Sequence, residues 1–257
     1  SLTIFPANHL LLLSGNKMNK LIRIFLWNPF KFFLKIFPNS SKLFYIFKIN
    51  LINFLSYFGF SNALNRMDKE IIRFFDYRKN GVCLEVGAAD GINQSNSLLL
   101  ERIYDWKVYL VEPTLSQFEI CKHYRKKSIL HRYAFVSENT FNSNSQIKIN
   151  FNDLQSSIDP KEINSTGTDK ENIEIVPTIT LDLYIQQNDI SHIDIFVLDV
   201  EKYEIEVLEG YKKSIGVIDY LLVEAEDFEK FNCYAKSRNW KLIKKIGTDY
   251  LFDLNPN

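Results

Sequence analysis

The stretch at residues 81–91 constrains the fold of this chain more than any other. Within it, Val82–Val86 is a short apolar run with a turn signal on each side, which is typical of a buried strand. Four small residues follow in the next five positions: Gly87, Ala88, Ala89 and Gly91. They leave room for a ligand to lie against the backbone. A serine-rich cap and an apolar helix come next, so the stretch predicts a strand, loop and helix that bind a nucleotide.

The glycine spacing distinguishes a dinucleotide-binding site from other kinds of nucleotide site. A dinucleotide fingerprint needs Gly-x-Gly-x-x-Gly, whereas this chain has Glu85-x-Gly87-x-x-x-Gly91, with alanine at position 89. An acidic residue two positions before the first glycine resembles the first motif of class I S-adenosylmethionine (SAM) methyltransferases. Two alternatives stay open at this point: a nicotinamide-dependent oxidoreductase, and a turn whose small residues serve packing alone.

Two more strands are predicted after this unit. Lys107–Val111 is an apolar run that ends at Glu112, about 25 residues after the first strand, where α/β nucleotide sites place a carboxylate. We therefore expect Glu112 to accept hydrogen bonds from the ribose hydroxyls. Residues 128–137 form the predicted third strand, and Val136 and Ser137 at its end would lie beside the adenine.

Acidic residues end the next predicted strands. Residues 193–201 are a fourth buried strand that ends in Asp199 and Glu201, and residues 219–224 are a fifth that ends in Glu224. Helical patterns alternate with these strands along the chain. The predicted fold class is therefore α/β, with a doubly wound Rossmann-like class I methyltransferase sheet and an N-terminal helical extension.

The first 67 residues differ in charge from the rest of the chain. They contain eight Lys or Arg and no Asp or Glu, although the whole chain has a formal net charge of zero. The eight are Lys17, Lys20, Arg23, Lys31, Lys35, Lys42, Lys48 and Arg66. We therefore predict two regions: a basic, aromatic-rich helical region at residues 1–67 and a methyltransferase domain at residues 68–257.

Residues 43–60 resemble an amphipathic helix, in which Asn50, Asn53 and Ser56 make a polar stripe. Three alternatives follow: helices packed on the catalytic domain, peripheral contact with an anionic membrane surface, or a true membrane span. No nucleic-acid-binding motif is recognisable, so we expect no nucleic acid partner. Three widely spaced cysteines give neither a disulfide framework nor a zinc site, which favours a reducing, cytoplasmic location, with the inner membrane face as an alternative place of contact.

Four separated segments together resemble the FkbM-type family of SAM-dependent methyltransferases. They are residues 84–97, 106–113, 176–182 and 193–210. The most distinctive part is Asp-Val-Glu at residues 199–201, followed by Glu-x-x-Val-Leu-x-Gly. This chain departs from the family at Lys202, where Gly is usual, and at Leu198, where Lys is usual. Both departures concern the methyl acceptor rather than the cofactor.

The resemblance implies a SAM-dependent O-methyltransferase, whose acceptor is most often a hydroxyl of a sugar, a glycan or a related metabolite. Because the SAM methyl group is already activated, such an enzyme mainly aligns the reactants and removes the hydroxyl proton. Asp199 is the first candidate for that base, and Glu201 and Glu224 come next. Three acids could also hold Mg²⁺, but they lack strict ligand spacing, so we expect no metal.

The same resemblance implies which residues of the first motif bind the cofactor. Glu85, Gly87, Ala88 and Gly91 are expected to shape the methionine end of the SAM site, and Asp90 the amino-acid headgroup region. A second kind of function stays open, since Lys202 at a substrate-side position is also compatible with a catalytically silent, membrane-tethered scaffold of the same fold. That alternative predicts a cavity unable to bind SAM.

Overall fold

The computed structural model of this chain describes residues 42–152, 155–157, 173–212 and 217–256. The chain divides into two compact units, residues 1–51 and 52–257, and the second contains the strands and the cavity discussed below. Residues 1–41 of the predicted N-terminal region lie outside the described residues, so the predicted boundary after residue 67 stays a prediction.

The strands of the described residues form two sheets. They are β1 (Val82–Val86), β2 (Lys107–Val111), β3 (Ile129–His131), β4 (Ala134–Phe135), β5 (Gln146–Asn152), β6 (Gln155–Ser157), β7 (Ile173–Ile179), β8 (His192–Leu198), β9 (Val217–Glu224), β10 (Lys241–Ile246) and β11 (Asp249–Asp253). Seven of them make the larger sheet, in the order β3-β2-β1-β8-β9-β11-β10. The other four make a smaller sheet, in the order β4-β7-β5-β6.

The larger sheet is mainly parallel and doubly wound. From β1 the chain moves outward through β2 to β3, and it later returns to β8 on the other side of β1. β11 is inserted antiparallel between β9 and β10. In such sheets a ligand binds at the carboxyl ends of the strands where the winding reverses, which here is between β1 and β8. The predicted class I methyltransferase fold is confirmed.

Helices alternate with the strands along the chain. They are α1 (Lys42–Ser56), α2 (Met67–Phe74), α3 (Leu98–Tyr104), α4 (Leu115–Tyr124), α5 (Glu138–Ser143), α6 (Leu181–Gln187), α7 (Glu204–Glu209) and α8 (Phe228–Ser237). A short 3₁₀ turn, Leu64–Arg66, precedes α2. Within the described ranges, no helix has both the length and the apolar character needed to cross a membrane.

Alternate side chains of the central strands enter two separate apolar layers. Leu84 and Val86 of β1 pack in one layer with Tyr184 of α6. Cys83 of the same strand packs in the other layer with Ile71 of α2. Because successive residues of a strand point to opposite faces, burial of both sets requires cover on both sides of the sheet. This explains why the central strands are continuous apolar runs.

The predicted third strand is two shorter strands. β3 pairs with β2 in the larger sheet, whereas β4 pairs with β7 in the smaller one. The break falls at Arg132, whose side chain donates to the Pro113 carbonyl at 2.9 Å and to Glu174 at 2.7 Å. These contacts draw the chain away from β2 before the predicted strand would have ended.

The fourth strand ends at Leu198, three residues earlier than predicted. The Asp199 N–H donates to the Val86 carbonyl at 3.1 Å, and Glu201 and Lys202 then adopt left-handed backbone with φ of 50° and 76°. Two left-handed residues in succession turn the chain into α7. Lys202 therefore occupies a conformation that glycine adopts without strain, which gives a physical reason for the glycine that is usual at this position in the family.

Arg125, at the end of α4, joins this helix to the loop after β1. Its side chain is fully buried and donates to the Gly91 carbonyl at 2.9 Å, to Ser95 Oγ at 3.1 Å and to Ser97 Oγ at 3.0 Å. It also forms an ion pair with buried Glu101, with 3.4 Å between Nε and Oε2. Arg125 thus holds the segment that leads from the nucleotide-binding loop into α3.

We expect Arg125→Met to lower the free energy of unfolding by about 3–5 kcal/mol, because it leaves the Glu101 carboxylate buried without its cation. Urea unfolding followed by circular dichroism measures this change. Lys126→Met is the matched control, since Lys126 is the exposed neighbour, and we expect its effect to stay within about 0.5 kcal/mol. Equal losses in the two variants would contradict the anchoring role.

Candidate functional site

A cavity of 340 Å³ lies at the carboxyl ends of the central strands. Its wall comes from the loops that follow β1, β2 and β8, from the ends of β4 and β9, and from the start of β11. Six carboxylates line it: Glu85, Glu112, Asp199, Glu201, Glu224 and Asp249. This is the edge of the sheet at which the winding reverses, so the cavity occupies the position expected for a nucleotide ligand.

The loop after β1 is held tightly against its neighbours. Gly87 has a φ of 87°, and a Cβ atom added there would lie 1.7 Å from the Asp199 carbonyl oxygen. The N–H groups of Gly87 and Ala88 donate to the Val111 carbonyl at 3.0 and 3.1 Å. The loop therefore needs glycine at position 87 because the end of β8 passes beside it. Ala89 adopts left-handed backbone with a φ of 46°.

Glu85 and Asp90 fix the conformation of this loop from within. Glu85 accepts hydrogen bonds from the Asn96 N–H at 3.0 Å and from the Ser97 hydroxyl. Asp90 is fully buried and accepts from the N–H groups of Ile92 at 2.8 Å and Asn93 at 2.6 Å. Glu85 also lines the cavity, whereas Asp90 does not.

Glu112 links the ends of β1 and β2. One carboxylate oxygen accepts from the Ala89 N–H at 2.9 Å, and the other accepts from the N–H and hydroxyl of Thr114 at 2.9 and 2.6 Å. Burial raises the pKa of Glu112 above its usual 4.5, and these hydrogen bonds act in the opposite direction. The side chain lines the cavity and is held rigidly there.

Four of the predicted cofactor residues do not line the cavity. Val136 is fully buried and donates its N–H to the Ile179 carbonyl at 3.0 Å, and Ser137 caps α5 by accepting from the Thr140 N–H. Gly91 lies against Cys121 and Arg125, and Asp90 faces its own loop. At the end of the third predicted strand the cavity wall consists of Tyr133, Ala134 and Phe135 instead. The break in that strand brings this earlier segment to the cavity.

The predicted acids of β8 and β9 do meet at the cavity. Asp199 is half-buried, and its partial burial together with the nearby carboxylates of Glu224, Glu201 and Asp249 raises its pKa from 3.8 to about 8. Burial and the Glu224 carboxylate raise the pKa of Asp249 to about 6. Like charges held close together in a poorly hydrated site disfavour ionisation of each carboxyl group. The cluster can therefore take up a proton near neutral pH.

Asp249 is an acidic residue of the cavity that the sequence analysis missed. It begins β11, which runs antiparallel to β9, and its register partner is Glu224. The first residue of an antiparallel strand lies at the same edge of the sheet as the last residue of its parallel neighbours. The sequence predicts two strands here, but it does not show that β11 rather than β10 pairs with β9, which is what places Asp249 beside Glu224.

The described lining of the cavity contains no lysine or arginine. Lys202 is adjacent in sequence, and its Nζ lies 3.2 Å from Glu226 in an exposed ion pair. A wall whose described residues include six acids and neither lysine nor arginine suits a cationic ligand better than a phosphate. This donor set fits the sulfonium and ammonium groups of SAM.

A second ionisable cluster lies outside the cavity, at the other edge of the sheet. His192 Nε2 is 3.0 Å from Asp194 and 3.4 Å from Asp219. The Arg78 guanidinium is 2.5 Å from the same Asp194 oxygen, and the Val82 N–H donates to the other at 2.6 Å. These contacts make the group an ion-pair network that holds strand ends together.

Asp199→Asn is expected to change how stability depends on pH. The pKa of Asp199 is about 8 in the folded chain against an ordinary value of 3.8, so the folded state holds the proton more tightly. The free energy of unfolding of the native chain should therefore fall as pH rises from about 4 to about 8, and the variant should lack the part of this fall that Asp199 causes. At pH 8 we expect the variant to be more stable by on the order of 2–4 kcal/mol.

Urea unfolding across this pH range measures the difference between the two chains. Asp105→Asn is the control, because Asp105 is an exposed carboxylate outside the cavity and its loss should shift the whole curve by no more than about 0.5 kcal/mol. Parallel curves for the native chain and Asp199→Asn would contradict the buried acid cluster.

Comparisons with known proteins agree with this picture. The sequence model of the methyltransferase FkbM domain matches residues 85–250. A search of curated protein sequences finds no significant match. Among solved structures, the methyltransferase domain of METTL16 is 7% identical, with 75% of this chain and 66% of that chain covered and a TM-score of 0.44.

Two prokaryotic structures are similar at the same level. A methyltransferase from Pyrococcus furiosus is 15% identical over 74% of this chain and 83% of its own, with a TM-score of 0.38. The precorrin-6y C5,15-methyltransferase from Geobacter metallireducens GS-15 is 12% identical over 68% and 79%, with a TM-score of 0.36. These scores are low, so the family is assigned from the sequence match, which covers most of the chain. The chain belongs to the FkbM family, and it is a SAM-dependent methyltransferase.

Proposed function

We propose that this methyltransferase moves the methyl group of SAM to a hydroxyl of a sugar, a glycan or a related metabolite. The observation that carries the proposal is the partly buried carboxylate cluster at the cavity, in which the pKa of Asp199 is raised to about 8. Methylation of a hydroxyl releases a proton, and a carboxylate of this kind can accept it. The acceptor is a small molecule or glycan, with no nucleic acid involved.

The residues around the cavity suit SAM in two ways. The Glu112 carboxylate is rigidly held and would accept hydrogen bonds from the ribose hydroxyls. Glu85, Gly87 and Ala88 border the cavity where the methionine part would lie. When bound, SAM supplies an activated methyl group on a cationic sulfur, so the protein needs mainly to align the acceptor and exclude water.

Asp199 is the proposed base for the acceptor hydroxyl. A base works best when its pKa lies near the operating pH, because it is then partly ionised and still holds a proton well. The neighbouring carboxylates of Glu224 and Asp249 help to raise that pKa. Glu201 lies on the same wall and would orient the acceptor by hydrogen bonding.

The alternative of a nicotinamide-dependent oxidoreductase is disfavoured by the same wall. A dinucleotide carries two phosphate groups, and in such sites they rest on a glycine-rich turn and a free helix N-terminus. Here the Gly87, Ala88 and Ala89 N–H groups already donate to Val111 and Glu112, and six acids line the cavity. The carboxylates would therefore repel a pyrophosphate, and these N–H groups would not be available to bind it.

Calorimetric titration of SAM, its demethylated product and NAD into the native chain tests the cofactor. We expect SAM and its product to bind and NAD to fail. Glu112→Ala should weaken SAM binding at least tenfold, because hydrogen bonds to a charged group contribute about 1.5–3 kcal/mol. Glu119→Ala, an exposed carboxylate on α4, is the control and should bind SAM as the native chain does.

The outcomes of this titration separate the candidate functions. Stronger binding of NAD than of SAM would overturn the proposed cofactor in favour of the oxidoreductase. A folded chain that binds neither ligand would favour a catalytically silent scaffold. Thermal unfolding of Glu112→Ala must accompany the titration, since that residue also holds Ala89 and Thr114.

The pH dependence of methyl transfer tests the base. With a panel of sugar acceptors, kcat/KM of the native enzyme should rise with pH and level off above about pH 8, as Asp199 loses its proton. Asp199→Asn should lower the rate about 10²–10⁴-fold. Glu224→Gln removes a carboxylate that raises the pKa of Asp199, so its profile should shift to lower pH. An unshifted profile would contradict coupling between these two acids.

A further inference from the structure

The last turn of α1 points its polar side chains at the methyltransferase domain. The Arg102 guanidinium of α3 donates to Asn53 Oδ1 at 2.6 Å, to the Asn53 carbonyl at 2.7 Å and to the Ser56 hydroxyl. Ser56 is fully buried. Two members of the polar stripe recognised in the sequence, Asn53 and Ser56, thus bind Arg102, whereas the third, Asn50, is exposed.

Three aromatic side chains at the end of α1 and just after it are exposed to solvent. Phe54 is 52% exposed, Tyr57 61% and Phe58 45%. The rings of Phe54 and Phe58 contact each other with centroids 5.2 Å apart, and the Tyr57 ring lies under Arg102 with 4.1 Å from the guanidinium carbon to its centroid. Three neighbouring aromatic rings so exposed are unusual for a surface that faces water alone.

We propose that this aromatic surface, Phe54, Tyr57 and Phe58, docks the enzyme on an anionic membrane surface. Charge favours this occupant, because residues 1–67 contain eight Lys or Arg and no Asp or Glu. Exposed Arg66 follows the aromatic turn closely in sequence. Basic side chains attract anionic headgroups, and aromatic rings insert at the boundary between headgroups and acyl chains.

The two contributions are individually weak, so the attachment is reversible. A few partly inserted rings give modest affinity by themselves, and electrostatic attraction of basic residues falls off within a Debye length. Binding should therefore require anionic lipid, decrease with salt and depend on the rings. This requirement distinguishes the proposal from a basic segment that binds lipid without the aromatic surface.

Sedimentation of the full chain with lipid vesicles tests the proposal. The vesicles contain phosphatidylcholine alone or phosphatidylcholine mixed with phosphatidylglycerol, each at low and at physiological salt. The native chain should pellet with the anionic vesicles and less so at higher salt. The double variant Phe54→Ser/Phe58→Ser should partition about tenfold less, because two partly buried phenyl rings are removed from the contact.

The control variant removes apolar side chains of similar exposure elsewhere. Leu242 and Ile243 on β10 are 40% and 39% exposed, and Leu242→Ser/Ile243→Ser should pellet as the native chain does. Far-ultraviolet circular dichroism and SAM titration of both double variants establish that they are folded. The residues changed do not line the cavity, so SAM binding should be unaffected even if docking is lost.

Three outcomes would overturn the proposal. The native chain fails to pellet with anionic vesicles, or Phe54→Ser/Phe58→Ser pellets as strongly as the native chain. In the third outcome, the native chain forms a dimer that this variant cannot form, and neither of the two proteins binds vesicles. That result would assign the surface to a second copy of the chain. Analytical ultracentrifugation detects such a dimer.

Discussion

The close approach of the β1 loop to the end of β8 is the constraint on which the site depends. Val86 and Asp199 are joined by a backbone hydrogen bond of 3.1 Å, and Gly87 packs so tightly on the Asp199 carbonyl that no side chain fits. The contact brings the cofactor loop and the acidic end of β8 together at the reversal of the sheet winding. Because it is made by backbone atoms, it fixes the position of Asp199 without using its carboxylate.

The acids at the cavity are energetically unfavourable neighbours that the fold forces together. Asp199, Glu224 and Asp249 come from three adjacent strands, and burial together with repulsion from the neighbouring carboxylates raises the pKa of Asp199 and of Asp249 toward neutrality. Such an arrangement costs stability above the ordinary carboxyl pKa, and functional sites are where proteins tolerate this cost. The left-handed turn at Glu201 and Lys202 adds backbone strain at the same place.

Much of the fold could be predicted because each strand is a continuous apolar run between turn signals. A strand of a sheet that is covered on both faces has apolar side chains on both sides, so continuous apolar runs indicate a parallel sheet covered by helices. The site residues at the first two strand ends, Glu85, Gly87 and Glu112, were predicted for the same reason, since the first residues after a parallel strand reach the ligand edge. Asp249 and the segment at Tyr133 escaped because strand direction and the break after β3 depend on tertiary pairing.

The alternation of strands and helices, the nucleotide-binding loop and the family can be predicted from the sequence, because they follow from local apolar periodicity and short motifs. Which polar groups meet depends on tertiary packing. The sequence predicts a polar stripe on α1, but it does not show that Asn53 and Ser56 of this stripe bind Arg102 while Phe54 is exposed. Helical periodicity shows that a helix has two faces, but which face is buried depends on the partner packed against it.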